Sequence, residues 1–248
     1  MTNTQALLLT PTGADEFVAP GGPSRETVLR MCGTALSISG VLTLTGGVLH
    51  PIVDGEAHSV AALTAPGTPL AQALIGIGTV LVILGLPGMY AWMRPRIGMA
   101  GFIGILTYLI ANIVTGAAHL TIELFVAHPL AANPETAHLI ADNGHMIESR
   151  GVEVLNVVGG LAMLLGMALL GASLLRNRTV PRWIAILTLL GMAGFFLPIP
   201  AVQGISGFVY EAPRSIAFAA IGVLMVRHPR GLRRWFRRAQ SNKDTAGA

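Results

Sequence analysis

The chain has 248 residues, of which 52% are hydrophobic and only 11% are charged. A soluble domain carries about 25% charged residues, so this composition, with a mean hydropathy of +0.65, favours a membrane protein over a soluble one. The single cysteine, Cys32, excludes an intramolecular disulfide and any cysteine-based metal cluster.

The first 24 residues are rich in Pro, Gly and Thr, and they lack a basic stretch before their short apolar run. They predict a disordered cytoplasmic tail rather than a signal peptide. Residues 25–228 hold six apolar segments long enough to cross a membrane, at 29–49, 70–93, 97–129, 152–175, 183–202 and 205–226. The predicted fold is therefore all-α, a polytopic bundle of six transmembrane helices. In the first segment Gly33, Gly40 and Gly47 recur every seven residues and predict a smooth face for close helix packing.

The loop between the third and fourth segments contains signals for a short helix. Asn133-Pro134-Glu135 is typical of a helix start, with a capping residue, a proline in the first turn and an acidic residue near the N-terminus. Asn143-Gly144 is a plausible stop. We expect a short interfacial helix between these two signals.

Basic residues predict the orientation in the membrane. Only Arg150 and Arg214, of sixteen lysines and arginines, lie outside the N-terminal flank, the 2–3 turn, the 4–5 turn and the C-terminal tail. Because cytoplasmic flanks carry the excess of Lys and Arg, we expect a multi-pass protein of the cell membrane with both termini cytoplasmic. The basic cytoplasmic tail at 229–248, which contains Trp235 and Phe236, predicts contact with anionic lipid of the bilayer. Nucleic acid is not an expected partner.

The third segment combines an apolar helix with a polar stripe. Asn112, Thr115, His119 and Glu123 stand at offsets 0, 3, 7 and 11, so at 100° per residue they share one side of the helix. Polar groups on a membrane helix face protein or water rather than lipid. The stripe therefore predicts a buried polar site.

Polar residues from five segments are expected at one depth near the outer leaflet, counting from the inner ends of the helices. The residues at this depth are His50, Gln72, His119, Glu123, Glu153, Asn156, Tyr210, Glu211 and Arg214. Arg214 lies inside an apolar helix and needs a carboxylate partner, for which Glu123, Glu153 and Glu211 are candidates. Such a pair either fixes the helix register or serves function by holding an anionic group or tuning a carboxylate.

His119 and Glu123 lie one helical turn apart and allow more than one chemistry. In an acid–base couple the glutamate orients the imidazole, which moves a proton near neutral pH. The same two side chains could instead be metal ligands on one face, or a hydrogen-bonded pair at a helix interface. An acid–base catalytic site is predicted to comprise His119, Glu123, Glu153, Tyr210 and Arg214.

The stretch HPIVDGEAH, residues 50–58, superficially resembles the HPxxGxDH signature of small membrane proteins linked to nickel handling in hydrogenase and urease systems. The glycine is displaced, and Glu56-Ala57-His58 stands where the signature has Asp-His, so membership of that family is not assigned. A metal ion stays an alternative, with candidate ligands His50, His119, His145 and Glu148. Three other histidines are expected to be solvated loop residues, namely His58, His128 and His138.

Three functions remain open from the sequence. The first is a membrane-embedded enzyme that performs acid–base isomerisation or cyclisation of a lipid-soluble substrate, such as an isoprenoid or a polyketide. Small membrane terpene cyclases are similar to this chain in size and style only. The second is a carrier or binding protein for a metal ion or small solute, with the same polar layer as its outer site. The third is an accessory subunit whose polar layer locks six helices together.

Overall fold

A computed structural model describes residues 22–141, 146–191, 193–197 and 199–230. Regular structure in these ranges is helical, apart from one antiparallel bridge between Val53 and Glu56. The α-helices are α1 (Arg25–Leu49), α2 (Val60–Leu63), α3 (Thr68–Ala111), α4 (Ala117–Ile122), α5 (His128–Ala132), α6 (Arg150–Asn177), α7 (Arg182–Leu189) and α8 (Ile205–Arg227). Two π-helical turns, Asn112–Gly116 and Glu123–Ala127, connect α3 to α4 and α4 to α5. The predicted tails lie outside the described residues, apart from 22–24 and 229–230.

Within the described residues, four helical runs are long and apolar enough to cross a membrane: Arg25–Leu49, Thr68–Ala132, Arg150–Asn177 and Ile205–Arg227. Large apolar side chains stand on the outside of these runs, where Val41 is 61% exposed, Leu84 60% and Val158 60%. Apolar side chains on every outer face are expected of helices that lie against lipid rather than water. The all-helical class and the apolar spans thus agree with the sequence prediction.

The second and third predicted segments form two helical arms that are joined at Gly98, where the chain reverses direction. Gly98 has φ 64° and ψ 178°, a backbone conformation that favours glycine. The two arms then run side by side, because Gln72 in the first arm hydrogen-bonds to Glu123 in the second. These two residues are almost equally far from Gly98 along the chain. The arms therefore form a helical hairpin.

Two predicted elements differ in the structure. In the described residues of the fifth segment, the eight-residue helix α7 is followed by the 3-10 turn Ala193–Phe196, so a sixth full-length helix is not confirmed. The expected interfacial helix at Asn133 is replaced in the described residues by the 3-10 turn Ala137–Leu139. The physical reason is that Asn133 ends α5 in an extended conformation, and its side chain accepts a hydrogen bond from the Glu135 amide within a tight turn. The predicted stop at Asn143-Gly144 lies outside the described residues.

Helices α1 and α8 pack closely along the predicted glycine face. A Cβ atom added to a glycine of this face would lie as close as 2.3 Å to the α8 backbone. The contacts are antiparallel, joining Gly33 to Gly222, Gly40 to Ser215, and Gly47 to Gly207. The spacing of seven residues therefore does produce a close helix interface, as predicted.

The basic flanks meet at one end of the bundle. Three hydrogen bonds join them: Arg25 Nη2 to Ala91 O at 3.4 Å, Trp92 Nε1 to His228 O at 2.8 Å, and Asn177 Nδ2 to Ile97 O at 3.2 Å. The main apolar core runs from this end towards the other. At the opposite end a smaller apolar cluster forms beneath the loops, made of Leu63, Ala127, Ala131, Ile140 and Met146. The predicted polar layer lies at this second end.

Candidate metal centre

A cavity of about 600 Å³ lies between α1, both arms of the hairpin, α6 and α8. Its polar lining comprises His50, His58, Gln72, Thr79, Asn112, Thr115, His119, Glu123, Asn156, Ser206, Tyr210, Glu211 and Arg214. The complete predicted stripe of the third segment is in this set, together with eight of the nine residues predicted at one depth. The structure thus places these side chains on the wall of one cavity, whereas a role in catalysis stays a prediction.

A tight turn brings the loop after α1 back over the cavity. His50 caps the C-terminus of α1, and its Nδ1 lies 3.1 Å from the carbonyl oxygen of Pro51. Asp54 and Gly55 both have positive φ, 53° and 83°, which is the pattern of a type I′ turn. This turn reverses the chain, so that His58 comes to lie beside His50 with ring centroids 5.9 Å apart.

Three imidazoles converge on the carboxylate of Glu123, which is only 1% exposed. His50 Nε2 lies 3.1 Å from Oε1, His58 Nε2 lies 3.5 Å from the same oxygen, and His119 Nε2 lies 3.6 Å from Oε2. The amide of Gln72 contacts both Glu123 Oε1 and His50 Nε2. A buried charge needs partners of this kind, because desolvation of a lone carboxylate is costly.

The hydrogen bonds at this point are compatible with either a proton or a metal ion on His50. Because Pro51 O can only accept, His50 Nδ1 carries a proton, and in the neutral ring Nε2 is an acceptor. The amide nitrogen of Gln72 lies 2.6 Å from this Nε2 and can donate one N–H to it and the other to Glu123 Oε1. A doubly protonated ring instead donates Nε2–H to Glu123 Oε1 at 3.1 Å. A cation where the three groups meet would satisfy lone pairs from all of them.

Further observations fit a metal ion at this position. Donor atoms of His50, His58 and Glu123 lie within 4.8 Å of one another, and imidazole nitrogen with carboxylate oxygen is a common donor set for zinc. Gln72 is buried, and its Oε1 has no hydrogen-bond partner among the described residues. A neighbouring histidine is also oriented, since His119 Nδ1 lies 3.1 Å from Asn156 Oδ1. Metal sites commonly hold imidazoles in place through such outer contacts.

Electrostatics at the cluster favour a positive charge. Burial lowers the pKa of His50, but the hydrogen bond and negative charge of Glu123 outweigh burial and raise the pKa above its ordinary value. A site that stabilises the charged imidazolium also stabilises a metal cation in the same place, and the two compete.

Arg214 forms a separate ion pair on the α8 side of the cavity. Its guanidinium contacts both oxygens of Glu211, with Nε 2.6 Å from Oε2 and Nη2 on Oε1. Of the three carboxylates predicted as partners, the structure therefore selects Glu211, one turn away on the same helix. Two-point contact of this kind fixes the orientation of both side chains.

The structure differs from the prediction at four individual residues. Glu153 is exposed and is not among the described lining residues, because the first turn of α6 extends beyond the cavity and Asn156 takes the lining position. Glu148 is also exposed and outside the cluster, and His145 lies outside the described residues. His58, expected to be solvated, is a member of the cluster, and His128 is partly buried with Nδ1 2.7 Å from Leu63 O. The turn signal Asp54-Gly55 could have indicated the return of His58.

No family model, curated protein or solved structure matches this chain. Fold alone does not define function, and the chemistry of the site has to carry the functional conclusion.

Proposed function

We propose that this chain is a multi-pass membrane protein that binds one divalent transition-metal ion near the outer face of the cell membrane. The ion is held by His50, His58 and Glu123, with the side-chain amide of Gln72 beside them. Six crossings with both termini cytoplasmic fit this arrangement, because the basic flanks meet at one end of the bundle and the cluster lies at the other.

The observation that carries the proposal is the convergence of three potential ligand atoms. Donor atoms of His50, His58 and Glu123 lie within 4.8 Å of one another, close enough to bind one ion together. The Glu123 carboxylate is 1% exposed, and a buried carboxylate is stabilised by a cation beside it. Imidazole donors favour zinc, nickel, iron or copper over magnesium or calcium.

A metal-free acid–base site is the second candidate, and one observation favours it. His119 is fixed by Asn156 and faces the second oxygen of Glu123 at 3.6 Å. This is the arrangement in which a carboxylate orients an imidazole for proton transfer. A purely structural polar layer is less well supported, since packing alone gives no reason to keep a cavity of about 600 Å³ beside the cluster.

Metal binding tests the proposal directly. Protein purified in detergent without a histidine tag, and stripped with a chelator, is titrated with Zn²⁺ by calorimetry and with Co²⁺ by visible absorption. We expect one ion per chain and the visible bands of Co²⁺ bound to nitrogen and oxygen ligands. Loss of an outer contact to a ligand typically costs 10–100-fold in affinity, so loss of a ligand itself in Glu123→Gln, His50→Ala or His58→Ala should cost at least about 100-fold.

The matched control is His138→Ala, which removes an exposed histidine outside the cluster. It should bind both ions as the wild type does. Wild-type protein that takes up no ion, or cluster variants that bind as tightly as His138→Ala, would overturn the metal proposal. Turnover of a lipid-soluble substrate by the stripped protein would then favour the acid–base site.

A further inference from the structure

The wall of the cavity is divided into a polar side and an apolar side. The polar side carries the histidine cluster and Glu123, whereas the opposite side is formed by apolar residues of α6 and the hairpin. Val157 and Leu161 belong to the apolar side, and each is also 51% exposed on the outer surface of α6. Side chains that line a cavity and face outwards at the same time mark its mouth. The mouth is therefore apolar.

This mouth lies at a depth where the surroundings are lipid. Val157 and Leu161 are seven and eleven residues from Arg150, which begins α6, so they lie about 10 and 16 Å along the helix. Neighbouring outward residues of α6, including Val154 and Val158, are also apolar and exposed. A hydrocarbon chain could pass from the bilayer to the cavity along this surface without crossing a polar rim.

The charge on the polar side of the cavity determines which polar head group such a molecule can carry. A divalent ion with ionised Glu123 and neutral histidines leaves a net charge of about +1 at the centre. That charge favours an anionic oxygen donor over a cationic or purely apolar group. Arg214 is already paired with Glu211 through two contacts, so the ion is the stronger attraction for the polar end.

We propose that the metal centre and the cavity form one bipartite site for an amphipathic, lipid-soluble molecule. An anionic oxygen group at one end binds the ion, and the hydrocarbon portion lies against the α6 wall at Val157 and Leu161. The volume of about 600 Å³ is within the usual range for a small-molecule pocket. This inference rests on the proposed metal binding and adds the class of ligand.

Two hydroxamic acids test the inference, because the hydroxamate group binds transition metals through oxygen. Acetohydroxamic acid carries the metal-binding group alone, and octanohydroxamic acid adds six methylenes. Each is titrated into Co²⁺-loaded protein, with the visible spectrum of the ion as readout. A buried methylene contributes about fourfold in affinity, so partial burial of the chain should make octanohydroxamate bind at least about tenfold tighter.

Glycine variants separate cavity binding from partition into detergent. Gly160 lines the cavity, and a Cβ atom added there meets nothing within 4 Å, so Gly160→Phe introduces a large side chain at the cavity wall from an open position. Gly76 has equally open surroundings but is not among the described lining residues, which makes Gly76→Phe the matched control. We expect Gly160→Phe to lose the tenfold preference and Gly76→Phe to retain it, with equal Co²⁺ affinity in both.

The outcomes distinguish this inference from the metal proposal. Normal Co²⁺ binding with no chain-length preference, or with a preference that Gly160→Phe retains, overturns the bipartite site and leaves the metal centre intact. Failure of the wild type to bind Co²⁺ overturns both. If Gly160→Phe does not fold, Leu161→Gln replaces it, since Leu161 is half exposed and its change leaves the core untouched. That variant should also lose the preference, and its retention of the preference overturns the inference.

Discussion

Close packing of α1 on α8 leads to a quantitative prediction for Gly40→Ala. A Cβ atom at Gly40 would lie 2.3 Å from Ser215 O and 2.9 Å from Ala219 Cβ, whereas real Cβ contacts essentially never fall below 3.0 Å. The helices must therefore separate by up to about 0.7 Å at this point. A buried hydrogen bond lies close by, because Thr43 Oγ1 and Ser215 Oγ are 2.8 Å apart. Separation of the helices stretches this bond.

The expected loss follows from the cost of overpacking. Extra methyl groups in a well-packed interface typically cost about 1–3 kcal/mol of unfolding free energy. The matched control is Gly76→Ala, where the added Cβ meets nothing within 4 Å. Alanine there should stabilise the helix by about 0.5–1 kcal/mol, because glycine loses more backbone entropy on folding. Gly40→Ala gains the same backbone entropy, so the difference between the two variants isolates the overpacking cost, roughly 1–3 kcal/mol.

Thermal unfolding of the metal-free proteins in one detergent measures this difference. For a chain of this size each kcal/mol shifts Tm by about 2–4 °C, so Gly40→Ala should melt roughly 2–12 °C below Gly76→Ala. The metal-free form is used because a bound ion would add its own stabilisation. Equal melting temperatures, or a higher one for Gly40→Ala, would refute close packing at this interface.

Three other perturbations have definite expected results. Arg214→Met leaves the Glu211 carboxylate buried without its cation and should lower the free energy of unfolding by about 3–5 kcal/mol, measured by chemical denaturation. The double variant with Glu211→Gln should recover much of this loss. A double variant that recovers nothing would argue against a structural ion pair. Gly55→Val places a branched residue at φ 83° and should distort the loop and lower Co²⁺ affinity at least about tenfold, measured by visible titration. Unchanged affinity there would show that the turn does not position the ligands. The pKa of His50 is raised in the folded protein, so its charged pair with Glu123 contributes fully to stability below about pH 6.5, the ordinary pKa of histidine. That contribution is lost as the pH rises through the raised pKa. The Tm of the metal-free wild type should therefore fall more steeply between pH 6 and pH 9 than the Tm of Glu123→Gln. Parallel pH profiles would remove Glu123 as the cause.

The polar stripe of the third segment was predictable from helical periodicity, because the face that a residue occupies on a helix depends only on its position in the sequence. Asn112, Thr115, His119 and Glu123 all line the cavity. The two π-helical turns in this run were not predictable in the same way, since each shifts the phase of the helix without a sequence signature as strong as proline. Depth counting extended the prediction to other helices, since every crossing of the bilayer needs a similar number of residues.

Residues in loops and at helix ends escaped the prediction for a physical reason. Nothing periodic relates His58 to Glu123, which are brought together by a turn and by tertiary packing. Glu153 was expected in the polar layer because depth counting is uncertain by about one turn, and one turn separates it from Asn156, which does line the cavity. Helix α7 ends at Leu189, close to Gly191 and Gly194, and glycine disfavours helix continuation. The mean hydropathy of a segment does not register this effect of glycine, so it predicted a full-length helix there.

The position of the cluster connects its chemistry to the fold. His50 ends α1, His58 follows the turn, Gln72 begins one arm of the hairpin, and Glu123 lies near the end of the other. These four donors come from α1, the following loop and both arms of the hairpin, at the end of the bundle that also holds the smaller apolar cluster. A cation shared among them would cross-link these segments at that end. Binding of the ion would therefore stabilise the folded protein, since any ligand that binds only the folded state stabilises it.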